Sequence, residues 1–395
     1  MEASVTLTDA IRQSVDGALS ERFGGQVRIT KTQNFRYSNV FRCTLQSNGN
    51  VPETVIVRIP REETARAGRA GLGSERAALE YLSAIGNTLA PRYFAGSAEA
   101  GFLVTEDLGP WPSLLDVLLG KNAEAARQGI VAFARSLGML HAQTAGDRSE
   151  EHQTALPVMG VPVAEHWRQV RDAVAHLGLP APQGVDGDID AIARLLNEPG
   201  DCLALSSGDI SVVNCKIISD SDAREPTANS SIVRFFDFEE ACFRHALADA
   251  AVLRFPYPTG GPPWRVPQEI ALQVETAYRT ELAKSCPIAE DGNLYERGMA
   301  AACAAWAIIR LARLPRVDAG PDRDPWLLLP SNWSAPTPTR SRRRQLIAIL
   351  EMCIESVQRA GEFEALGGWC ELLADALRER WPEAEEELAS YPAFS

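Results

Sequence analysis

Short runs of alternating apolar and polar positions, with two helical stretches among them, fill the first hundred residues, whereas in most of the remainder apolar positions recur three to four apart. Residues 6–22 set Ile11, Val15 and Leu19 on one helical face, with Thr6 or Thr8 placed to cap its start. Short alternating runs follow at 27–31, 39–46 (NVFRCTLQ) and 54–59 (TVIVRI), and Asn48-Gly49-Asn50 marks a turn between the last two. Three strands in that order predict an antiparallel meander. SERAALEYLSAI at 74–85 predicts a helix with Ser74 as its cap and Ala77, Leu82 and Ile85 facing inward. Residues 93–95 and 102–105 (FLVT) add two more strands.

Beyond Gly109-Pro110 the helical period dominates. One amphipathic helix is expected at 124–144, and others at 164–177, 186–197, 268–284, 294–313, 341–360 and 366–379. The exception is 202–239, where the apolar runs 215–218 and 232–236 flank a Ser-rich polar turn and predict a hairpin inside the helical part. The Pro-, Asp- and Trp-rich stretch 315–340 is expected to be a loop or lid. The pattern defines an α+β molecule with two lobes: a small antiparallel-sheet lobe at 1–108 and a large helical lobe at 109–395. A ligand site is expected in the cleft between them.

A formal charge of −13 argues against a nucleic-acid partner, which would need clustered Lys and Arg to neutralise phosphates. RSRRR at 340–344 is expected to be a solvated basic turn. The apolar run 299–309 is too short for a bilayer and reads as a buried helix, so no membrane partner is expected. The N-terminal residues show no signal-peptide pattern. The eight cysteines form no C-x-x-C pair, and reduced thiols in a cytoplasmic protein are the simplest expectation.

The chemistry concentrates in SSGDISVVN and FFDFEEA. Asp209 and Asn214 are five apart, and Asp237 follows the predicted hairpin. Phosphoryl transfer needs one carboxylate to orient a hydroxyl and take its proton, and a second carboxylate with an amide oxygen to hold metal on the phosphates. Asp209 fits the first role, and Asn214 with Asp237 the second, with oxygen ligands suited to Mg²⁺. An Asp after a strand is also an ordinary turn-former, so the pair alone leaves both readings open. Upstream, Arg58 in VIVRIP can contact α- and β-phosphates, held by Glu75 on the following helix. QNFRYSNVFRC stands where a phosphate-covering turn is expected. It has no glycines, so contact there falls to the backbone and hydroxyl around Ser38 and Asn39. FLVTEDLG leads into the joint, where a purine would bond the main chain at Glu106 and Leu108. The Glu106 side chain would be structural or face solvent.

The succession SNVFRC, VIVR, SERAALEYL, APR, GFLVTEDLG, LGMLHAQT, GDISVVN and FFDFEEACFRHALAD resembles the aminoglycoside phosphotransferase and choline kinase superfamily over about residues 25–255. The resemblance implies an ATP- or GTP-dependent, Mg²⁺-dependent kinase of a small-molecule hydroxyl. It makes Asp209 the catalytic base, Asn214 and Asp237 metal ligands, and Asp249 a brace behind the catalytic loop. His141 becomes a packing residue, and the 141–202 insert with the C-terminal helices would build the acceptor pocket. This sequence has Arg58 where lysine is usual and Ser207 where a histidine normally stands two residues before the catalytic Asp. A nucleotide-binding relative without transferase activity is the alternative. The acceptor's identity, ATP against GTP and the oligomeric state are left open by the sequence.

Overall fold

The computed structural model describes residues 7–35, 39–60, 71–146, 155–219, 231–254, 265–322, 341–384, 388 and 390–395. Ser38, the hairpin turn at 220–230, most of the 315–340 stretch and the acids at 385–387 lie outside them. The chain opens with α1 (Asp9–Phe23), capped by Thr8 Oγ1 at the Ile11 N–H. Next come β1 (Val27–Asn34), β2 (Val40–Ser47), β3 (Thr54–Arg58), α2 (Gly71–Ala84), β4 (Tyr93–Ser97) and β5 (Phe102–Glu106). The strands form one antiparallel sheet in the order β1-β2-β3-β5-β4. Its alternating apolar positions, among them Val27, Ile29, Phe41, Cys43, Val55 and Val57, bury themselves against Val15 and Leu19 of α1. That small core is separate from the large one below.

Helix α2 is described from Gly71, so Ser74 is a buried residue inside it rather than its cap. Ser74 offers a capping signal in the sequence, but the described part of the helix already includes the three residues before it. One consequence is that Glu75 sits a full turn inside the helix. Ala78, Leu79, Tyr81 and Leu82 of α2 join the large core, which ties this helix to the helical lobe.

That lobe contains α3 (Leu114–Leu118), α4 (Ala123–Thr144), α5 (Val163–His176), α6 (Asp186–Asn197), α7 (Ala246–Ala250), α8 (Gln268–Leu282), α9 (Gly292–Leu311), α10 (Leu314–Ala319), α11 (Arg342–Ala360) and α12 (Glu364–Arg380). The α+β bilobal architecture expected from the sequence is present. Helix α9 buries residues 298–305 almost completely, as its Ala-rich run predicts. No helix among the described residues is long and apolar enough to cross a membrane.

Two strand pairs position the site. β6 (Leu203–Ser206) pairs with β9 (Cys242–His245), and β7 (Cys215–Ser219) with β8 (Ser231–Phe235), both antiparallel. The second pair is the expected hairpin. The first escaped the sequence reading, because four-residue strands 35 residues apart leave no local periodicity.

Three further expectations are corrected. The stretch 315–340 is helical in α10 at its start. The basic run at 341–344 is no solvated turn: Ser341 caps α11, Arg344 is buried against Glu351, and Arg343 pairs with Glu383. Cys202 and Cys286, 84 residues apart, form a disulfide with a Cα–Cα distance of 5.4 Å, against the expectation of reduced thiols throughout. The short turns carrying them pack together only through the tertiary fold, so no spacing in the sequence announces the pair.

Candidate active site

The turn from Ser206 to Asn214 is built so that Asp209 can project from it. Gly208 has φ 87°, and a Cβ there would stand 2.2 Å from the Glu240 carbonyl oxygen. Only glycine permits this approach, which brings the 206–209 turn against the segment after Asp237. Gly208 N–H donates to Ser206 Oγ at 2.9 Å, and Ser207 is buried beside it. Asn214 Nδ2 donates to the Asp209 carbonyl and to Asp209 Oδ2, both at 3.1 Å. The amide nitrogen is thus spent on Asp209, which leaves Asn214 Oδ1 facing elsewhere. The hairpin carries Asp237 to the same place, since Phe236 N–H donates to the Asn214 carbonyl at 3.0 Å. Asp237 itself has φ 69°, a left-handed conformation that Asp tolerates better than most residues but still at a cost.

Behind this turn, Asp249 Oδ1 accepts from Arg244 Nε at 2.8 Å, and Oδ2 lies 3.3 Å from His141 Nε2. His141 Nδ1 meets the Tyr278 hydroxyl at 2.9 Å, and all three groups are buried. Burial pushes the Asp249 carboxyl up, but Arg244 and His141 outweigh it and hold it below the ordinary value. His141 therefore packs and bridges, as the sequence reading expected.

Arg58, at the end of β3, joins the two lobes. Its Nη1 lies 2.8 Å from Glu75 Oε1 and 2.7 Å from Asp237 Oδ1, and its Nη2 lies 2.6 Å from Glu239 Oε2. One cation thus faces three carboxylates, with Arg58 13% and Glu75 7% exposed. Burial pushes the Glu75 carboxyl up to about 7, helped by Asp237 and Glu239 and opposed by Arg58. Among the described residues Glu75 Oε2 has no hydrogen-bond partner, and Asp237 Oδ1 meets only Arg58. Glu239 was missed in the sequence. The left-handed backbone at Asp237 and the turn at 239–240 leave no strand alternation that would have marked it.

The other anticipated residues are more dispersed. The Asn39 side chain is buried and donates to the Ile59 carbonyl, so a phosphate contact there would have to use its main chain. Glu106 accepts from Arg234 Nη1 at 3.1 Å and Nη2 at 2.7 Å and from the Arg92 N–H at 3.1 Å, tying β5 to β8. The backbone of Leu108 makes no hydrogen bond among the described residues. Asp107, between them, had not been singled out. It takes a bidentate Arg42 contact at 2.6 and 2.9 Å, and also accepts from Thr54 Oγ1 and the Gly109 N–H, both at 2.9 Å. Asp107 thereby anchors the joint to β2 and β3.

Asp209 lines a cavity of about 170 Å³ together with Glu240, Arg244, Trp306 and Arg310. Burial raises its carboxyl above the ordinary value, and Asp237 and Glu240 push the same way. The cavity draws its described walls from the 206–214 turn, the segment 240–252 and α9. The 141–202 insert contributes none of them.

The oxygens at the end of the hairpin are the Asp237 carboxylate, whose Oδ1 faces Arg58, and the amide oxygen that Asn214 does not use on Asp209. That is a hard-oxygen set that fits a magnesium ion held largely by phosphates and water. Among the described residues no cluster of three His, Cys, Asp or Glu side chains could hold a metal unaided.

No protein-family model matches the chain, and no curated protein matches it in sequence. It is similar to many solved structures, among them three of low sequence identity. A putative aminoglycoside phosphotransferase from Ralstonia eutropha is 13% identical, over 93% of this chain and 98% of that one, with a TM-score of 0.46. An ethanolamine kinase from Plasmodium vivax is 12% identical over 72% and 76%, with a TM-score of 0.44. A choline kinase from Streptococcus pneumoniae is 12% identical over 90% and 98%, with a TM-score of 0.40.

Proposed function

We propose that the chain transfers the γ-phosphoryl group of ATP or GTP, bound with Mg²⁺, to a hydroxyl of a small acceptor. The observation that carries this reading is the convergence on one turn of a carboxylate facing a cavity and a second carboxylate facing an interlobe cation. Asp209 stands on the cavity side. It would orient the acceptor hydroxyl and take its proton, and its raised pKa improves it as a base near neutral pH. Asn214 would hold Asp209 in place through its amide nitrogen and offer its oxygen to the metal alongside Asp237. The ion, when bound, supplies the charge neutralisation on the phosphate oxygens that this transfer depends on.

Arg58 would turn part of its guanidinium from Asp237 to the α- and β-phosphates, with Glu75 and Glu239 keeping it in position. The Leu108 backbone would bond the purine edge, and the main chain around Ser38 and Asn39 would cover the phosphates. Calorimetric titration with Mg·ATP and Mg·GTP tests the reading. One of the two should bind with Kd between about 1 µM and 1 mM, Asp237→Asn should remove the Mg²⁺ dependence, and Asp209→Asn should leave the affinity unchanged. Absence of binding to either nucleotide would overturn the assignment. Binding without turnover of any acceptor would favour a nucleotide-binding protein that lacks transferase activity.

A further inference from the structure

Successive residues of β9 face different cavities. Arg244 lines the cavity beside Asp209, whereas His245 lines a second one of about 400 Å³, and no residue lines both. The second is walled by the end of α6, the turn Gly200–Cys202, the turn Pro287–Ala289 and α9. The Cys202–Cys286 disulfide links the two turns, so one wall is fixed covalently against the next. The volume falls in the ~300–1,000 Å³ range of small-molecule pockets.

His245 is only 3% exposed. Its Nδ1 accepts the Leu247 N–H at 3.2 Å, which leaves the ring proton on Nε2. Burial keeps the imidazole neutral by lowering its pKa to about 4, and the nearby His141 acts in the same direction. Nε2 has no hydrogen-bond partner among the described residues, yet it is not sealed from solvent, so it opens into the cavity that the ring lines. A buried N–H placed there calls for a ligand oxygen. The charged groups around it are of both signs. Arg194, Glu198 and Asp201 are exposed and, among the described residues, form no ion pair or side-chain hydrogen bond. Arg297 reaches Glu362 only at 3.7 Å, with both side chains more than 40% exposed. Two guanidinia and two carboxylates leave the wall without net charge, which matches a ligand carrying one charge of each sign.

We infer that this cavity is a second ligand site, for an amino-acid-like zwitterion with an apolar side chain. The ligand's carboxylate takes the His245 Nε2–H and the Arg194 guanidinium, and its ammonium lies against Glu198 and Asp201. Leu195 and Ile288, which also line the cavity, pack on its side chain. The site shares no residue with the 206–214 turn and does not depend on the kinase reading.

Calorimetric titration of the full chain with L-leucine, L-methionine and L-phenylalanine tests this. Each is run beside the acid that lacks its amino group and the amine that lacks its carboxylate. At least one amino acid should bind with Kd below about 1 mM. Its acid and its amine should each bind about 10-fold or more weakly, the loss expected for one charged hydrogen bond. Arg194→Gln should weaken the amino acid by about the same factor. Glu198→Gln combined with Asp201→Asn should leave it no tighter than its deaminated acid. These three residues are exposed, so melting temperatures should match wild type and separate lost binding from lost folding. In proton–nitrogen spectra of the full chain, the His245 Nε2 resonance should shift as the amino acid saturates the site. The amino acid should also bind in the presence of saturating Mg·ATP. The inference is overturned by no binding of any amino acid, equal binding of the deaminated acid, or an unchanged Kd in Arg194→Gln. An unmoved Nε2 resonance, or displacement by Mg·ATP, overturns it equally.

Discussion

Replacing Arg58 with methionine keeps much of the side-chain volume and leaves Glu75, Asp237 and Glu239 around an uncharged stem. Asp237 and Glu239 are about a third exposed and can relax into water, so the cost falls mainly on Glu75, which is 7% exposed. Removing one partner of a buried pair costs about 3–5 kcal/mol when the remaining charge stays buried. Glu75 can escape part of that by binding a proton, because its carboxyl already sits at about 7 with Arg58 present. Without Arg58 it moves higher still. A carboxyl raised on folding contributes stability below its unfolded value and loses it as pH rises through the folded one. From pH 6 to pH 8 the wild-type group binds about half a proton on average, and the variant's nearly a whole one, a gap worth about 1 kcal/mol over the interval. Arg58→Met should therefore destabilise more at pH 8 than at pH 6 by roughly that amount, whereas in a Glu75→Gln background it should cost the same at both pH values. Urea unfolding followed by circular dichroism at both pH values measures this. A penalty equal at the two pH values, or one below about 1 kcal/mol at pH 8, refutes the reasoning.

The remaining predictions concern the 206–214 turn, Asp237 and the disulfide. Asp209→Asn should lower kcat by about 10²–10⁴ while raising the melting temperature at pH 7, because it removes a carboxylate whose pKa is raised on folding; the stabilisation should vanish on acidification below the ordinary carboxylate range. Gly208→Ala should cost about 1–3 kcal/mol from overpacking against the Glu240 carbonyl, plus the strain of its positive φ, and chemical denaturation would show it. Asp237→Ala should unfold more easily than Asp237→Asn, since asparagine tolerates the left-handed backbone at 237 and alanine does not. Cys202→Ser should lower stability under oxidising conditions by up to about 4–5 kcal/mol for a loop of 84 residues, and reductant should abolish the difference from wild type.

How far the sequence reveals this molecule depends on whether the signal is local. Strands β1 to β5 and helices α4 to α12, apart from short α7 and α10, stand where periodicity puts them, because each buries one regular face. The hairpin β7–β8 was legible for the same reason, and it is what brings Asn214 beside Asp237. What the sequence hid is set by contacts between distant segments. Glu239 meets Arg58 across 181 residues, Asp107 meets Arg42 across 65, and Cys202 meets Cys286 across 84. Nothing adjacent to these residues marks them. The basic run at 341–344 misled in the opposite way: its charges look solvated in a list of residues but are paired once α11 packs. The cavity wall at Trp306 and Arg310 was hidden within an Ala-rich helix whose pattern spoke only of burial.

The central claim is that Asp209 activates an acceptor hydroxyl for attack on a nucleotide phosphate. Phosphorus NMR of a reaction with Mg·ATP or Mg·GTP and a panel of small hydroxyl acceptors tests it most directly. Wild-type protein should produce a phosphomonoester resonance at the rate of nucleoside diphosphate formation, and Asp209→Asn should bind the nucleotide equally well yet form the ester about 10²–10⁴ times more slowly. An ester formed equally fast by Asp209→Asn would contradict the account, as would wild-type protein releasing only inorganic phosphate.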